Sequence, residues 1–309
     1  MKPRDRIFVA GHRGMVGSAL VRRLEAGGYE NLLLRTRQEL DLEDQAAAER
    51  FFDQESPDIV FLAAARVGGI LANATYPADF IQANLAIGLN VISAARRTGV
   101  RRLLNLGSSC IYPREAPQPM REEHLLTGPL EPTNEPYAIA KIAALKLCEA
   151  FNRQWDTSFY TVLPTNLYGP GDNFDLESAH VLPALLRRFH EAKEAGAPEV
   201  VVWGTGKPRR EFLHVDDLAD ACVFLMEQDA PPELANIGAG RDITIADLAS
   251  LIADVVGYDG RITFDPSRPD GAPRKLLDVS RMEKLGWHPQ IGFREGVEAT
   301  YRWFVEEKA

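Results

Sequence analysis

The run Arg6-Ile7-Phe8-Val9-Ala10 passes directly into Gly11-His12-Arg13-Gly14-Met15-Val16-Gly17, and Ser18 to Leu24 then repeats its apolar residues at helical spacing. A short buried strand, a glycine turn and a helix in that order make a βα unit with its loop at the helix N-terminus. Glycines there permit a tight turn and let a pyrophosphate approach backbone N–H groups, where the helix dipole also favours an anion. The spacing is G-x-x-G-x-x-G and not G-x-G-x-x-G, so the glycines alone also fit a plain loop. In this context Gly11, His12, Arg13, Gly14, Met15, Val16 and Gly17 are expected to cradle a dinucleotide.

A second strand over residues 31–35 leads to Thr36-Arg37, where NAD-binding folds usually carry an acid for the ribose 2′-hydroxyl. No carboxylate occurs before Glu39. Arg37, with Arg13 in the glycine loop, suits a 2′-phosphate, so the expected cofactor is NADP(H). Either arginine alone also fits a solvated surface. Asp41 and Leu42 are expected at the adenine edge, and the small residues of Leu62-Ala63-Ala64-Ala65, Ala64 in particular, along the cofactor groove.

Alternation continues, with strands expected near 6–10, 31–35, 58–64, 102–108 and 158–164 and helices near 15–27, 43–54, 78–98 and 137–154. This pattern predicts an α/β fold, a doubly wound parallel sheet of Rossmann type covered on both faces. After Gly169 the order becomes irregular and proline-rich, which predicts a smaller C-terminal α/β substrate lobe. The division is residues 1–169 for the cofactor, completed by segments returning near 210–240, and 170–309 mainly for the substrate. Ligands of open α/β sheets lie beyond the carboxyl ends of strands, which puts the cleft between sheet and lobe.

At 309 residues the chain can bury a large core, and its net charge of −9 is spread without a basic tract. Nucleic-acid and membrane partners are therefore not expected. No long apolar run is evident, and Met1 to Arg6 leads at once into the first strand, so a cytoplasmic protein is expected. Cys110, Cys148 and Cys222 lack metal-type spacing, and no metal site is expected. Cys148 and Cys222 fall in helical patterns as small core residues.

Cys110 differs because it follows Ser108-Ser109 at the end of the fourth strand, just after Leu106-Gly107. Tyr137 comes 29 residues after Ser108, with Lys141 one helical turn further on. Residues four apart share a helix face, so the ammonium is expected to lower the phenol pKa while Ser108 binds the oxygen that changes protonation. A Tyr-x-x-x-Lys pair by itself also describes a surface tyrosine beside a solvated lysine.

The glycine loop, Ser108 and Tyr137-x-x-x-Lys141 resemble the extended short-chain dehydrogenase/reductase superfamily, whose members mostly modify nucleotide sugars. Further matches are Val67-Gly68-Gly69-Ile70, Tyr76 to Ile81, Gly107 to Pro113, Leu130 to Lys141, Pro164 to Pro170, Arg210 to Asp217, Pro269-Asp270-Gly271 and Arg274 to Asp278. Together they resemble the GDP-L-fucose synthase family over nearly the whole chain, with no departure at the catalytic positions. The resemblance implies NADPH reduction at C4 and epimerisation at C3 and C5 of GDP-4-keto-6-deoxy-D-mannose, with Ser108, Tyr137 and Lys141 at the ketone.

It further implies Cys110 as base and His180 as acid on opposite faces of the sugar. Thiol and imidazole groups suit proton exchange near neutrality. Leu106, Gly107, Pro164, Thr165, Asn166, Leu167 and His180 are implied along the cofactor, and Ser109, Asn166, Arg188, Trp203, Arg210, Asp270, Lys275 and Asp278 along the GDP-sugar. Arginine binds phosphate bidentately and an indole covers a base or sugar face, which agrees with the residue types. A homodimer through the helices near 78–98 and 137–154 is implied as well. Rival readings are a one-step nucleotide-sugar epimerase or dehydratase, which would retain its NAD, and a non-catalytic NADP-binding sensor. A dehydratase would place a carboxylate where Cys110 stands, and a sensor would usually lack Tyr137 or Lys141.

Overall fold

The computed structural model describes all residues except Glu177, Pro269, Lys308 and Ala309, and gives no side chain for Ile70 and Leu71. Pro269 and the Ile70 side chain, both in motifs quoted above, thus lie outside the described residues. The first half runs β1 (Ile7–Ala10), α1 (Met15–Ala26), β2 (Leu32–Leu33), α2 (Gln45–Glu55), β3 (Ile59–Leu62), α3 (Ile70–Thr75), α4 (Pro77–Arg97), β4 (Arg102–Leu106), α5 (Glu135–Trp155) and β5 (Phe159–Pro164). Six strands pair in the order β2-β1-β3-β4-β5-β9, where β9 is Leu234–Ile237. Every pairing is parallel.

The chemistry of the strands explains this sheet. β1, β3 and β5 are buried at every position, as strands sandwiched between two helical layers must be. On one side Ile7, Val9, Ile59 and Phe61 pack with Leu20 and Leu24 of α1 and Leu218 and Cys222 of α7 (Val215–Glu227). On the other, Phe8 and Val60 pack with Phe51 and Phe52 of α2, Val91 and Ile92 of α4 and Cys148 of α5. The doubly wound parallel sheet is as expected. Its order reverses between β1 and β3, so the glycine turn after β1 opens at the switch point where such sheets bind ligands.

The remaining elements are β6 (Asn166–Tyr168), α6 (Val181–Glu194), β7 (Glu199–Trp203), β8 (Arg209–His214), β10 (Asp242–Thr244), α8 (Ile245–Val256), β11 (Arg261–Asp265), β12 (Arg274–Lys275), α9 (Ser280–Lys284) and α10 (Phe293–Glu307). β8 pairs with β6, β10 and β12, and β7 pairs with β11. Leu182, Leu186 and Phe189 of α6, Leu248 and Ile252 of α8 and Phe304 of α10 form a separate core there.

Two expectations change. The second strand shrinks to Leu32–Leu33, an edge strand that pairs with Ile7 and Phe8 of β1 and leaves it before Val9. A long apolar segment does exist: α4 spans 21 residues, with a mean hydropathy of 1.2 over its most apolar window. By length and composition it is the one helix among the described residues able to cross a membrane, and 56% of that window is buried inside the fold. The apolar face is required because α4 packs between α2 and α5, with Gly88 meeting Ala144 closely enough that a side chain at 88 would crowd it.

Candidate active site

The glycine loop leaves the N-terminus of α1 open. Gly14 is its N-cap and offers no side chain to occupy the first N–H groups. Gly11 holds φ +82, and a Cβ there would lie 2.8 Å from the Ala64 backbone; a Cβ on Gly17 would strike the Gly11 carbonyl. Side chains are thus excluded where the helix must approach the turn. His12 Nδ1 is buried in this loop without a hydrogen-bond partner among the described residues. An exposed cradle with uncapped N–H groups and an unpaired imidazole nitrogen fits a dinucleotide phosphate.

Arg13 and Arg37 are both exposed near this end. Arg37 Nη2 bonds Glu43 Oε1 at 2.6 Å, so its charge is engaged by an acid and not left free. Leu42 is a core residue at 8% exposure, which leaves only its backbone for an adenine. Asp41 is exposed and accepts a hydrogen bond from the Glu43 N–H.

At the carboxyl end of β4, Gly107 N–H still bonds the Val162 carbonyl at 2.8 Å, and the chain then turns sharply. Ser108 caps a 3-10 turn over Ser109–Ile111, its Oγ accepting from Cys110 N–H at 3.2 Å. One turn therefore fixes both the hydroxyl and the thiol. α5 begins with Glu135-Pro136, and Ala138, Ala140 and Ala144 let it settle closely on the sheet. This seats Lys141, 7% exposed, beneath β4, with Nζ donating to the Leu106 carbonyl at 2.8 Å.

Lys141 Nζ is 5.9 Å from the Tyr137 ring centroid. Burial lowers the Lys141 pKa from 10.5 to about 8. The Tyr137 phenol is raised, not lowered as the sequence suggests: burial dominates, the Cys110 thiol adds to it, and a hydrogen bond with Ser108 opposes. The physical reason is that the cation which would favour a phenolate is itself desolvated and turned to a backbone carbonyl. Ser108, Cys110 and Tyr137 are nonetheless brought together. Phe80 of α4 sets its ring 6.4 Å from that of Tyr137 at 78°.

His180 is the residue before α6, in extended backbone and making no capping bond with its side chain. The ring keeps an exposed face, yet the protein crowded about it lowers its pKa by desolvation. Gly69 N–H bonds the Ser178 carbonyl at 3.0 Å, tying the Gly-Gly segment to this loop. Pro164 and Thr165 are buried at the end of β5, and Leu167 follows in β6. Asn166 Nδ2 donates to the Glu211 carbonyl at 2.8 Å.

In the C-terminal lobe the Arg188 guanidinium lies 4.9 Å from the Trp203 ring centroid, and Arg268 lies 4.9 Å from the same ring. Arg210 is half-buried and donates to the Ala272 carbonyl at 2.6 Å, and Lys275 pairs beside it in the β12–β8 ladder. Asp270 accepts from Thr205 N–H and Oγ, which holds its carboxyl below the usual range. Asp278 turns inward: its carboxylate caps Ser280 and its carbonyl accepts from Asn236. Those bonds make Asp278 a clasp of the chain more than a free group.

Sequence reasoning missed Arg268, Asn73, Asn84 and Asn236. Asn73 Nδ2 bonds the Gly68 and Gly69 carbonyls, while Asn84 binds both N–H and carbonyl of Arg66. The available signal was asparagine interrupting the buried face of a helix or strand, where an amide must find partners.

A parallel sheet with a glycine loop at its switch point and a Ser-Tyr-Lys set at the end of β4 defines the nucleotide-cofactor oxidoreductase and epimerase class. A sequence model of the NAD dependent epimerase/dehydratase family matches residues 7–238, and the chain belongs to that family and, within it, to the GDP-L-fucose synthases. GDP-L-fucose synthase 1 of Arabidopsis thaliana is 59% identical over 97% of this chain and 93% of its own length. GDP-L-fucose synthase of Escherichia coli (strain K12) is 57% identical over 99% of this chain and 98% of its own. The crystal structure of a GDP-L-fucose synthetase from Naegleria fowleri bound to NADP superposes with a TM-score of 0.92 at 27% identity, covering 99% of this chain and 95% of that one.

Proposed function

We propose that the protein is a bifunctional epimerase and reductase that binds NADPH and converts GDP-4-keto-6-deoxy-D-mannose to GDP-L-fucose. The observation that carries this reading is the meeting of Ser108, Cys110 and Tyr137 at the end of β4, with His180 at the start of α6. C3 and C5 flank a ketone, so removing either proton gives an enolate whose oxygen Ser108 and Tyr137 stabilise. At each centre Cys110 takes the proton and His180 delivers one from the opposite face, which inverts that centre. When bound, NADPH supplies the hydride that adds to C4. Tyr137, neutral because its pKa is raised, gives the C4 oxygen its proton.

In this reading the glycine loop and Arg37 hold the cofactor phosphates, and Pro164 to Leu167 border the nicotinamide. Arg188, Trp203 and Arg210 hold the GDP. Residues 1–169, with the segments near 210–240, serve the cofactor, and 170–309 mainly the substrate. The same reading has a cytoplasmic homodimer joined through α4 and α5. In support, Leu85, Leu89 and Ile139 expose 39%, 55% and 42% of their surface on those helices.

The test is incubation with GDP-4-keto-6-deoxy-D-mannose and NADPH in deuterated buffer. GDP-L-fucose carrying deuterium at C3 and C5, with cofactor-derived hydride at C4 alone, is the expected product. Absence of NADPH oxidation with this substrate rejects the reading.

A further inference from the structure

Residues 107–134 connect β4 to α5 and carry Ser108 and Cys110, yet their regular structure amounts to two short 3-10 turns and one β-bridge from Met120 to Leu277. A connection of that length needs anchors if a catalytic group on it is to hold still. On one side of Cys110 the anchor is the Ser108 cap. On the other it is Tyr112, 3% exposed, whose hydroxyl donates to Asn236 Oδ1 at 2.6 Å.

Asn236 lies in β9, fully buried, and its side-chain amide and backbone N–H bond this segment and one other. Nδ2 donates to the Met120 carbonyl at 2.9 Å and the Asp278 carbonyl at 3.1 Å, and its backbone N–H donates to Glu122 Oε1 at 2.9 Å. Two carbonyls facing Nδ2 fix the amide orientation, so Oδ1 can only accept, and it accepts from Tyr112. Burial raises the Tyr112 pKa, which keeps the phenol a donor. Cys110 Sγ, by contrast, has no hydrogen bond that orients it among the described residues. Its place is set by the turn and by what holds the turn at either end.

We propose that Tyr112 is a positioning residue which, through its bond to Asn236 on the main sheet, sets where the Cys110 thiol stands against the sugar ring. The proposal rests on the epimerase reading above. Loss of the bond lets the 3-10 turn shift, and a displacement of an ångström at a proton-transfer group costs far more rate than binding. Proton removal at C3 and C5 therefore depends on Tyr112, whereas NADPH binding, at the glycine loop, does not.

The experiment compares the unmodified protein, Tyr112→Phe and Tyr29→Phe. Tyr29 also donates a buried hydroxyl, to Glu227 at 2.7 Å, and packs against α1 and α7 away from the Cys110 turn. Deuterium wash-in at C3 and C5 is followed with the oxidised cofactor, so no reduction intervenes, alongside KM, NADPH affinity and thermal unfolding. Tyr112→Phe is expected to slow wash-in about tenfold or more, with KM and NADPH affinity near those of the unmodified protein, while Tyr29→Phe leaves wash-in unchanged for a similar loss of Tm. Unmodified wash-in in Tyr112→Phe overturns the proposal, as does an equal slowing in Tyr29→Phe, which would reduce the effect to stability. No wash-in from the unmodified protein rejects the epimerase reading itself, and the role of Tyr112 with it.

Discussion

Lys141 Nζ gives its hydrogen bond to the carbonyl of Leu106, the last residue of β4, and so ties α5 to the strand that leads to Ser108. The pair is a structural cross-link before it is a catalytic one. With burial lowering the Lys141 pKa to about 8, the ammonium is held at an energetic disadvantage below that pH.

Stability should reflect this. Between pH 8 and the ordinary lysine value of 10.5 the unfolded chain holds a proton that the folded chain has released, so stability attributable to Lys141 rises with pH across that window. Below it the penalty is constant at about 3 kcal/mol. Urea unfolding of the cofactor-free protein from pH 7 to 10 should show the rise, and Lys141→Met should flatten it. Parallel curves for the two proteins would show that Lys141 is not desolvated.

Arg37 is 72% exposed on its side chain and pairs with Glu43, yet the second strand ends without an acid for the ribose hydroxyl. Arg37→Asp should raise the KM for NADPH by tenfold or more, in line with loss of charge-assisted hydrogen bonds worth about 1.5–3 kcal/mol, and leave that for NADH little changed. Equal losses with both cofactors would mean that Arg37 does not read the 2′-phosphate.

The two proton-transfer groups should separate by mutation. Cys110→Ser should suppress deuterium entry at C3 and C5, because a hydroxyl is a poor base near neutral pH, while slow reduction of the unepimerised ketone continues. His180→Ala should still lose protons but fail to invert, and Tyr137→Phe should lower NADPH oxidation by about a hundredfold or more with the fold intact. Product labelled and inverted at the unmodified rate from Cys110→Ser would reassign the base.

Asp172 is 9% exposed, its Oδ2 has no partner, and burial pushes its carboxyl from 3.8 up to about 7 against a hydrogen bond from Asn173 N–H. A raised carboxyl pKa means that the folded state holds the extra proton between these values, so its stability contribution is present below pH 4 and lost as pH rises through 7. Asp172→Asn should therefore stabilise the protein at pH 8 by about 2–4 kcal/mol and hardly at all at pH 4. A melting temperature lowered at pH 8 and unchanged at pH 4 would show that the carboxylate has a partner when ionised.

Local order carried most of the fold. The strand-glycine-helix run at Ile7 to Leu24 spelled out a βα unit, and repeated alternation forced a parallel sheet with both faces covered, so the place of the glycine loop, Ser108, Tyr137 and Lys141 at the carboxyl ends of the strands was legible. Less legible were partners that meet across the chain. Arg268 reaches Trp203 only because β11 pairs with β7, and the bond of the Asp278 carbonyl to Asn236 likewise joins segments that no local pattern connects.

Residue type and spacing by themselves pointed to a phosphate cradle and a phenol with its lysine, while the thiol and the imidazole entered through the family resemblance. Tertiary structure alone decided their electrostatics and their aim. Burial raised the Tyr137 phenol where spacing predicted a fall, because a cation four residues away acts on a neighbour according to its own solvation and hydrogen bond, which here go to the interior and to Leu106. The anchoring of Cys110 through Tyr112 to Asn236 spans 124 positions, and no local pattern encodes a contact that only sheet assembly creates.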